Sequence, residues 1–283
     1  MSENLNIQYD VLPVIDAHSH IFPDAIAEKA KNSVGEFYNL PMFTSGTLAE
    51  LYKVRSGTFE NRKITLQAIF SPATNALQTK SINSFISTLC AKDKSLIGFG
   101  TLHKENDDYK DETQRIKALG LKGIKFHSDF QKTDIDDEKM LPVYKEAAEN
   151  NLPVIFHMGD KKLKYSSVDK LKNVLCEIPE LTVIAAHMGG YMHWQEAYNT
   201  LVPDDRLYFD VSSALSFIPH YEFNKMLEKF GVDHFFFGSD FPMWNPMDEL
   251  KKLSEFVSKD IDRRKIEYYN YIEFLKKYSD ERK

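Results

Sequence analysis

The sequence predicts an α/β protein, a (β/α)8 barrel, and three observations carry that expectation. Eight short β-rich runs alternate with amphipathic stretches, the pattern of βαβ units and a parallel sheet. The chain has 283 residues, close to the roughly 250 of a typical barrel. Histidines and aspartates gather where the runs end, and no GxGxxG turn follows the first run, as a doubly wound open sheet would favour.

Taken in order, the first strand is expected over 11–20 (VLPVIDAHSH), the second over 63–70 and the third over 95–102. The fourth lies at 121–127, the fifth at 152–157, the sixth at 181–187, the seventh at 206–212 and the eighth at 233–240. Helix-like segments occupy 107–119, 137–150, 167–178, 220–230 and 247–257, and 262–278 reads as a closing helix. Residues 1–283 are expected to form one domain. Its first βα connection, about 21–62, is far longer than usual and is expected to fold over the barrel mouth.

Composition narrows the function classes. The chain is 42% hydrophobic and 28% charged, with a formal net charge of −6. No Lys/Arg block gives an electrostatic reason to expect nucleic acid or a membrane surface, so a small-molecule substrate is the expected partner, with a homo-oligomer as an option. The first residues, MSENLNIQYD, carry no basic stretch followed by an apolar one, and the longest apolar runs are too short to span a bilayer. A cytoplasmic location is the expectation. Cys90 and Cys176 lack CxxC spacing and read as buried free thiols.

The chemistry is written at the strand ends. The first strand ends His18-Ser19-His20, the fourth Lys125-Phe126-His127, the fifth at His157, the sixth at His187 and the eighth at Asp240. Barrel enzymes build their active sites on that face. Residues two apart on a strand share a side, so Asp16, His18 and His20 are expected to point together, as are Lys125 and His127. If they point inward, imidazoles from strands one, five and six converge with the carboxylate of strand eight. That donor set suits one divalent metal, zinc first, with manganese or iron accommodated.

Each of these residues also has a plainer reading. An HxH pair alone is a weak motif, and Asp240 in GSDFP could simply cap the following helix. Burying this many imidazoles without a metal or partners is costly, however, which favours the metal site. Asp16 reads as an interior partner rather than a ligand. His103 and His193 read as surface residues, with a place at the border of the pocket as the alternative, and His220 and His234 as structural. Met158, Met188, Trp194, Met243 and Trp244 follow strand ends and are candidate pocket walls, with ordinary packing as the equal alternative. Arg55 and Arg62, in the long connection, are candidates for gripping a substrate carboxylate, with solvated surface charge as the alternative.

At this point the sequence resembles the amidohydrolase-related TIM-barrel proteins, in the branch that includes aminocarboxymuconate-semialdehyde decarboxylase. The matching pieces are VIDAHSHIFP (14–23), GIKFHSDFQ (123–131), LPVIFHMGD (152–160), VIAAHMGG (183–190) and FFFGSDFPM (235–243), which together span nearly the whole chain. As an ordered set they are specific to the superfamily but not to a reaction. The resemblance implies His18, His20, His157 and Asp240 as metal ligands, with His187 contacting a metal-bound water or the substrate. It also raises Lys125, with His127 beside it, as a substrate or second-metal residue, because binuclear relatives carry a carboxylated lysine on the fourth strand. One metal is the expectation.

Three functions follow from these residues. The first is hydrolysis of an amide, ester or lactone, with Asp240 moving the proton of a metal-bound water and His187 stabilising the oxyanion. The second is metal-dependent, non-oxidative decarboxylation of an unsaturated or aromatic acid, which needs a cation for the carboxylate, from Arg55 or Arg62. The third, from another class, is an inactive barrel kept as a binding protein.

Overall fold

Alternation within the strands sorts the protein into two apolar layers. In the computed structural model, which describes residues 11–278, the strands are β1 (Leu12–His20), β2 (Arg62–Phe70), β3 (Leu96–Gly98) and β4 (Ile124–Phe126), then β5 (Val154–Phe156), β6 (Val183–Ala185), β7 (Leu207–Asp210) and β8 (Phe235–Phe236). Ile155, Ile184, Tyr208 and Phe236 join an inner cluster, while their neighbours Val154, Val183, Phe209 and Phe235 join the outer one beneath the helices. The period-two side-chain pattern of a strand is the cause.

All pairings are parallel, β1–β2–β3 in one ladder and β4 through β8 in another. Single parallel bridges join the ladders at both seams, Gly100 with Ile124 and Ser19 with Phe241. The sheet thereby comes round on itself as a (β/α)8 barrel. β1 and β2 match the runs that predict them to within a residue, whereas β3 to β8 are shorter, because only part of each run pairs.

The helices are α1 (Asp24–Tyr38), α2 (Leu48–Arg55), α3 (Thr79–Lys92), α4 (Tyr109–Ala118), α5 (Ser128–Gln131) and α6 (Leu141–Glu149). They continue with α7 (Val168–Glu177), α8 (Trp194–Thr200), α9 (His220–Phe230), α10 (Pro246–Phe256), α11 (Asp260–Arg264) and α12 (Asn270–Lys277). A π-helical turn, Lys265–Tyr269, links the last two. Tyr271 and Phe274 of α12 enter the inner cluster and stopper the amino end of the barrel.

The long first connection divides in two. Residues of α1 line the cavity at the mouth. A capping box then starts α2: Thr47 accepts from the Glu50 N–H, and the Glu50 carboxylate takes the Thr47 N–H at 3.0 Å. From there α2 packs against β2 and α10 as an ordinary barrel helix. The cover over the mouth is therefore narrower than 21–62. The cysteines need a correction too: both are free, but Cys90 is half-buried and Cys176 exposed, because Cys176 falls between the buried positions of α7. Among the described residues no helix is long and apolar enough to cross a membrane.

Candidate metal centre

His18 is the hub of the site. It is fully buried, and its Nδ1 donates to Asp210 Oδ2 at 2.8 Å. That bond orients the ring and leaves Nε2 facing inward, the role a carboxylate commonly plays behind a metal-binding histidine. Around Nε2 gather Asp240 Oδ1 at 3.4 Å and the Lys125 ammonium at 3.3 Å. His20 Nε2 lies at the same 3.4 Å from Asp240 Oδ1. Donor atoms of His18, His20 and Asp240 all fall within 4.8 Å of one another. Gly238 permits this crowding, since a Cβ there would meet the His18 Cβ at 2.8 Å.

The local backbone is forced into place. His187 (φ 58°), Ser213 (φ 53°) and Asp240 (φ 57°) all occupy the left-handed region, at a cost of order 1–3 kcal/mol each. Cross-links hold them there. Asp240 Oδ2 accepts from Ser213 Oγ at 2.6 Å, and Ser213 Oγ in turn accepts from Trp244 Nε1 at 2.8 Å. Asp210 accepts from the His187 N–H at 3.2 Å and from the Ser212 hydroxyl. Trp194 Nε1 donates to the His187 carbonyl.

Electrostatics leave the cluster ready for a cation. Burial lowers His18 to about 4, and it lowers His20 and His157 as well, so these imidazoles are neutral at pH 7. Asp240 stays ionised, far below the usual carboxylate range, because the bond to His20 and the neighbouring histidines outweigh its burial. Burial also brings Lys125 down to about 8. Neutral imidazoles beside an ionised carboxylate are the protonation states that metal ligation requires.

His157 stands one ring away from this trio. Its Nδ1 meets His187 Nε2 at 2.9 Å, and its Nε2 meets the Gly159 carbonyl at 2.9 Å. At the other end, His187 Nδ1 faces the Ser212 carbonyl at 3.0 Å, while Ser212 Oγ gives its own proton to Asp210. His157 Nε2 belongs to a second group of close donor atoms, with His127 and Asp129. Neutral His18 and His20 beside ionised Asp240 are the donor set that fits a divalent metal. The residues suited to hold it are His18, His20 and Asp240, with His157 adjoining.

A cavity of about 360 Å³ opens from the cluster to the mouth. Phe22, Phe37, Tyr38, Phe130 and Met243 line it together with His20, His127, His157, Asp129 and Asp240. A small chamber of about 20 Å³ lies on the other side of Tyr38, bounded by His187, Ser213, Asp240 and Trp244. His127 is stacked between His157 (3.9 Å) and Phe130 (3.7 Å).

Several sequence-based expectations are corrected. Arg55 and Arg62 reach no part of the cavity. Arg62 begins β2 at the amino end of the barrel, bound to Glu267, Glu60 and Asp260, and Arg55 donates to the Thr65 carbonyl and Ser95 Oγ on the barrel flank. A β-bulge between Asp16 and Ser19 reverses the parity argument. Asp16 therefore faces Ser19, Gln67 and Ser239 instead of joining the histidines. His103 is buried, not at the surface. Met158, Met188 and Trp194 pack inside, whereas Met243 and Trp244 do line the two chambers.

Sequence reasoning missed Asp210, Ser213, Asp129 and Tyr38. Asp210 was within reach, since it sits two residues beyond inward Tyr208 at the end of the seventh predicted strand. Nothing local marks Tyr38.

No curated protein matches the sequence significantly. Solved structures do match by fold. An uncharacterised TIM-barrel protein from Bordetella bronchiseptica is 17% identical over 94% of this chain and 99% of that one, with a TM-score of 0.74. A 2,6-dihydroxybenzoate decarboxylase from Rhizobium is 16% identical over 93% and 98%, with a TM-score of 0.68. A manganese-bound 5-carboxyvanillate decarboxylase from Novosphingobium aromaticivorans is 14% identical over 93% and 97%, at 0.69. At such identities the likeness speaks for the fold. The family is settled by sequence: residues 15–276 match the amidohydrolase family model, and the chain belongs to that metal-dependent family.

Proposed function

We propose that this protein is a metal-dependent carboxy-lyase that removes CO₂ from a small aromatic or conjugated carboxylic acid. The observation that carries the reading is the cavity: aromatic walls enclose about 360 Å³ and end on neutral imidazoles beside Asp129 and the ionised Asp240. Flat apolar walls suit an unsaturated ring, and the polar end suits its acidic group. The solved decarboxylases with this fold lend support to the same reading. The cation once expected from Arg55 or Arg62 has a nearer source in buried Lys125.

His18, His20 and Asp240 would hold a divalent metal, zinc or manganese, which supplies positive charge to the substrate oxygens. The chain's own residues do the rest. Phe37, Phe130 and Met243 exclude water, and Asp210 and Ser213 hold His18 and Asp240 in position. In the reaction the bond between the carboxylate carbon and the substrate breaks and its electron pair stays on the substrate carbon. CO₂ leaves, and a proton replaces it. That proton comes from solvent, and Asp240 Oδ1 is placed to relay it to the substrate carbon, since Oδ2 is engaged by Ser213.

Hydrolysis is the second reading, favoured by the same ionised Asp240, which can accept a proton from water. A panel of aromatic and unsaturated acids, amides, esters and lactones, incubated with protein loaded with zinc or manganese, separates the two. CO₂ release supports the lyase. Cleavage of esters or amides without CO₂ release overturns it in favour of the hydrolase.

A further inference from the structure

We infer that Tyr38 is a substrate-binding residue whose hydroxyl donates a hydrogen bond to the carboxylate of a ring-bearing acid. The inference deepens the carboxy-lyase reading and rests on it.

The His127 Nδ1 accepts the Phe130 backbone N–H at 3.4 Å, as the N-cap of α5. Because Nδ1 accepts, the ring proton sits on Nε2 and is donated to the Tyr38 oxygen at 3.0 Å. The other group near the hydroxyl is His157 Nε2, at 3.3 Å. That nitrogen is already committed. It either donates to the Gly159 carbonyl, which is nearer at 2.9 Å and can only accept, or turns its lone pair to a metal. In neither state can it accept the phenolic proton. The Tyr38 hydroxyl has no other partner among the described residues.

Tyr38 is half-buried, and its oriented O–H faces the cavity, where a ligand can supply the acceptor that the protein does not. Tyr38 lines both the aromatic chamber and the small one beside Asp240, so its free proton lies at the boundary where an acid's ring ends and its carboxylate begins. Its ring is fixed by Phe37 at 4.8 Å, with Phe130 and Tyr191 alongside. Burial also keeps the phenol protonated, as a donor must be. Tyr38 comes from α1, in the extended first connection, which places substrate selection on the segment covering the mouth.

The test compares salicylate with phenol, two probes that differ by the carboxylate, binding to zinc-loaded protein and read through tryptophan fluorescence. Wild-type protein is expected to prefer salicylate. Tyr38→Phe should weaken salicylate by about tenfold or more, as for loss of one hydrogen bond to a charged group, and shift phenol by less than about twofold. Tyr38→Leu, which also removes the ring, should weaken both. If wild type prefers salicylate and Tyr38→Phe keeps the full preference, or weakens both probes equally, the assignment of Tyr38 is overturned and the acid-binding reading stands. If wild type binds the two alike, the acid-binding reading itself fails.

Discussion

At the amino end of the barrel, Arg62 donates through Nε to both oxygens of Glu267 and through its two other nitrogens to Glu60 and Asp260. Arg264 adds a bond to Glu267 and another to the Pro13 carbonyl. At the carboxyl end, His18, His20, His157, His187 and Asp240 are just as crowded, but His18, His20 and His157 are neutral beside ionised Asp240, and Tyr38 has a donor to spare. Both ends bury polar groups. At one, ions of opposite sign close on each other and only hold the stopper, α11 to α12, against the strands. At the other, neutral bases surround an ionised carboxylate and leave valences for something from outside. Burial alone therefore does not mark a functional site.

The largest expected effect follows from breaking the hub at the carboxyl end. His18→Ala should abolish metal binding and turnover together, because the ring that Asp210 orients is gone. Elemental analysis beside an activity assay checks this, and metal retained at the wild-type level would remove His18 from the ligand set. Next comes Asp240→Asn, which keeps an oxygen for the metal but cannot carry the proton. Turnover should fall by roughly 10²–10⁴ while most of the metal stays. Near-normal turnover would pass the proton-carrying role to His187.

The amino end should answer in a different currency. Arg62→Met leaves Glu267 buried without its main partner, and stability should fall by about 3–5 kcal/mol. Metal content should not change. A denaturant titration reads the first, and loss of metal in the still-folded variant would contradict the separation of the two ends.

Glu249 sharpens the contrast with the smallest effect. It is fully buried in α10 and bound to Lys252 through one oxygen, and its other oxygen has no hydrogen-bond partner. Burial raises it to about 7, above its ordinary 4.5. The folded state thus favours the acid form, so this contribution is present below pH 4.5 and is lost as the pH rises through 7. Glu249→Gln should flatten that part of the stability curve. A slope between pH 5 and 7 identical to wild type would show that Lys252 fully compensates the charge.

The regular part of this protein was legible because strand and helix periodicity are local properties. Alternation along 121–127 and 152–157 and the HxH pair are read from neighbours in sequence, and they place Lys125, His127 and His157 on the inner side correctly. A single bulge is enough to defeat the same logic. The register shift after Asp16 turns that carboxylate away from His18, since one residue of slip exchanges the two faces of a strand.

By itself, then, the sequence determined the eightfold alternation, the gathering of histidines at the carboxyl ends of the strands and the family. Only the tertiary structure decided which partners those histidines have. Asp210 lies 192 positions from His18, Tyr38 lies 89 from His127, and Arg62 lies 205 from Glu267. Such pairs come together only through closure of the barrel and packing of α1 over its mouth. The protonation states of the site follow from burial and pairing, which no local pattern encodes.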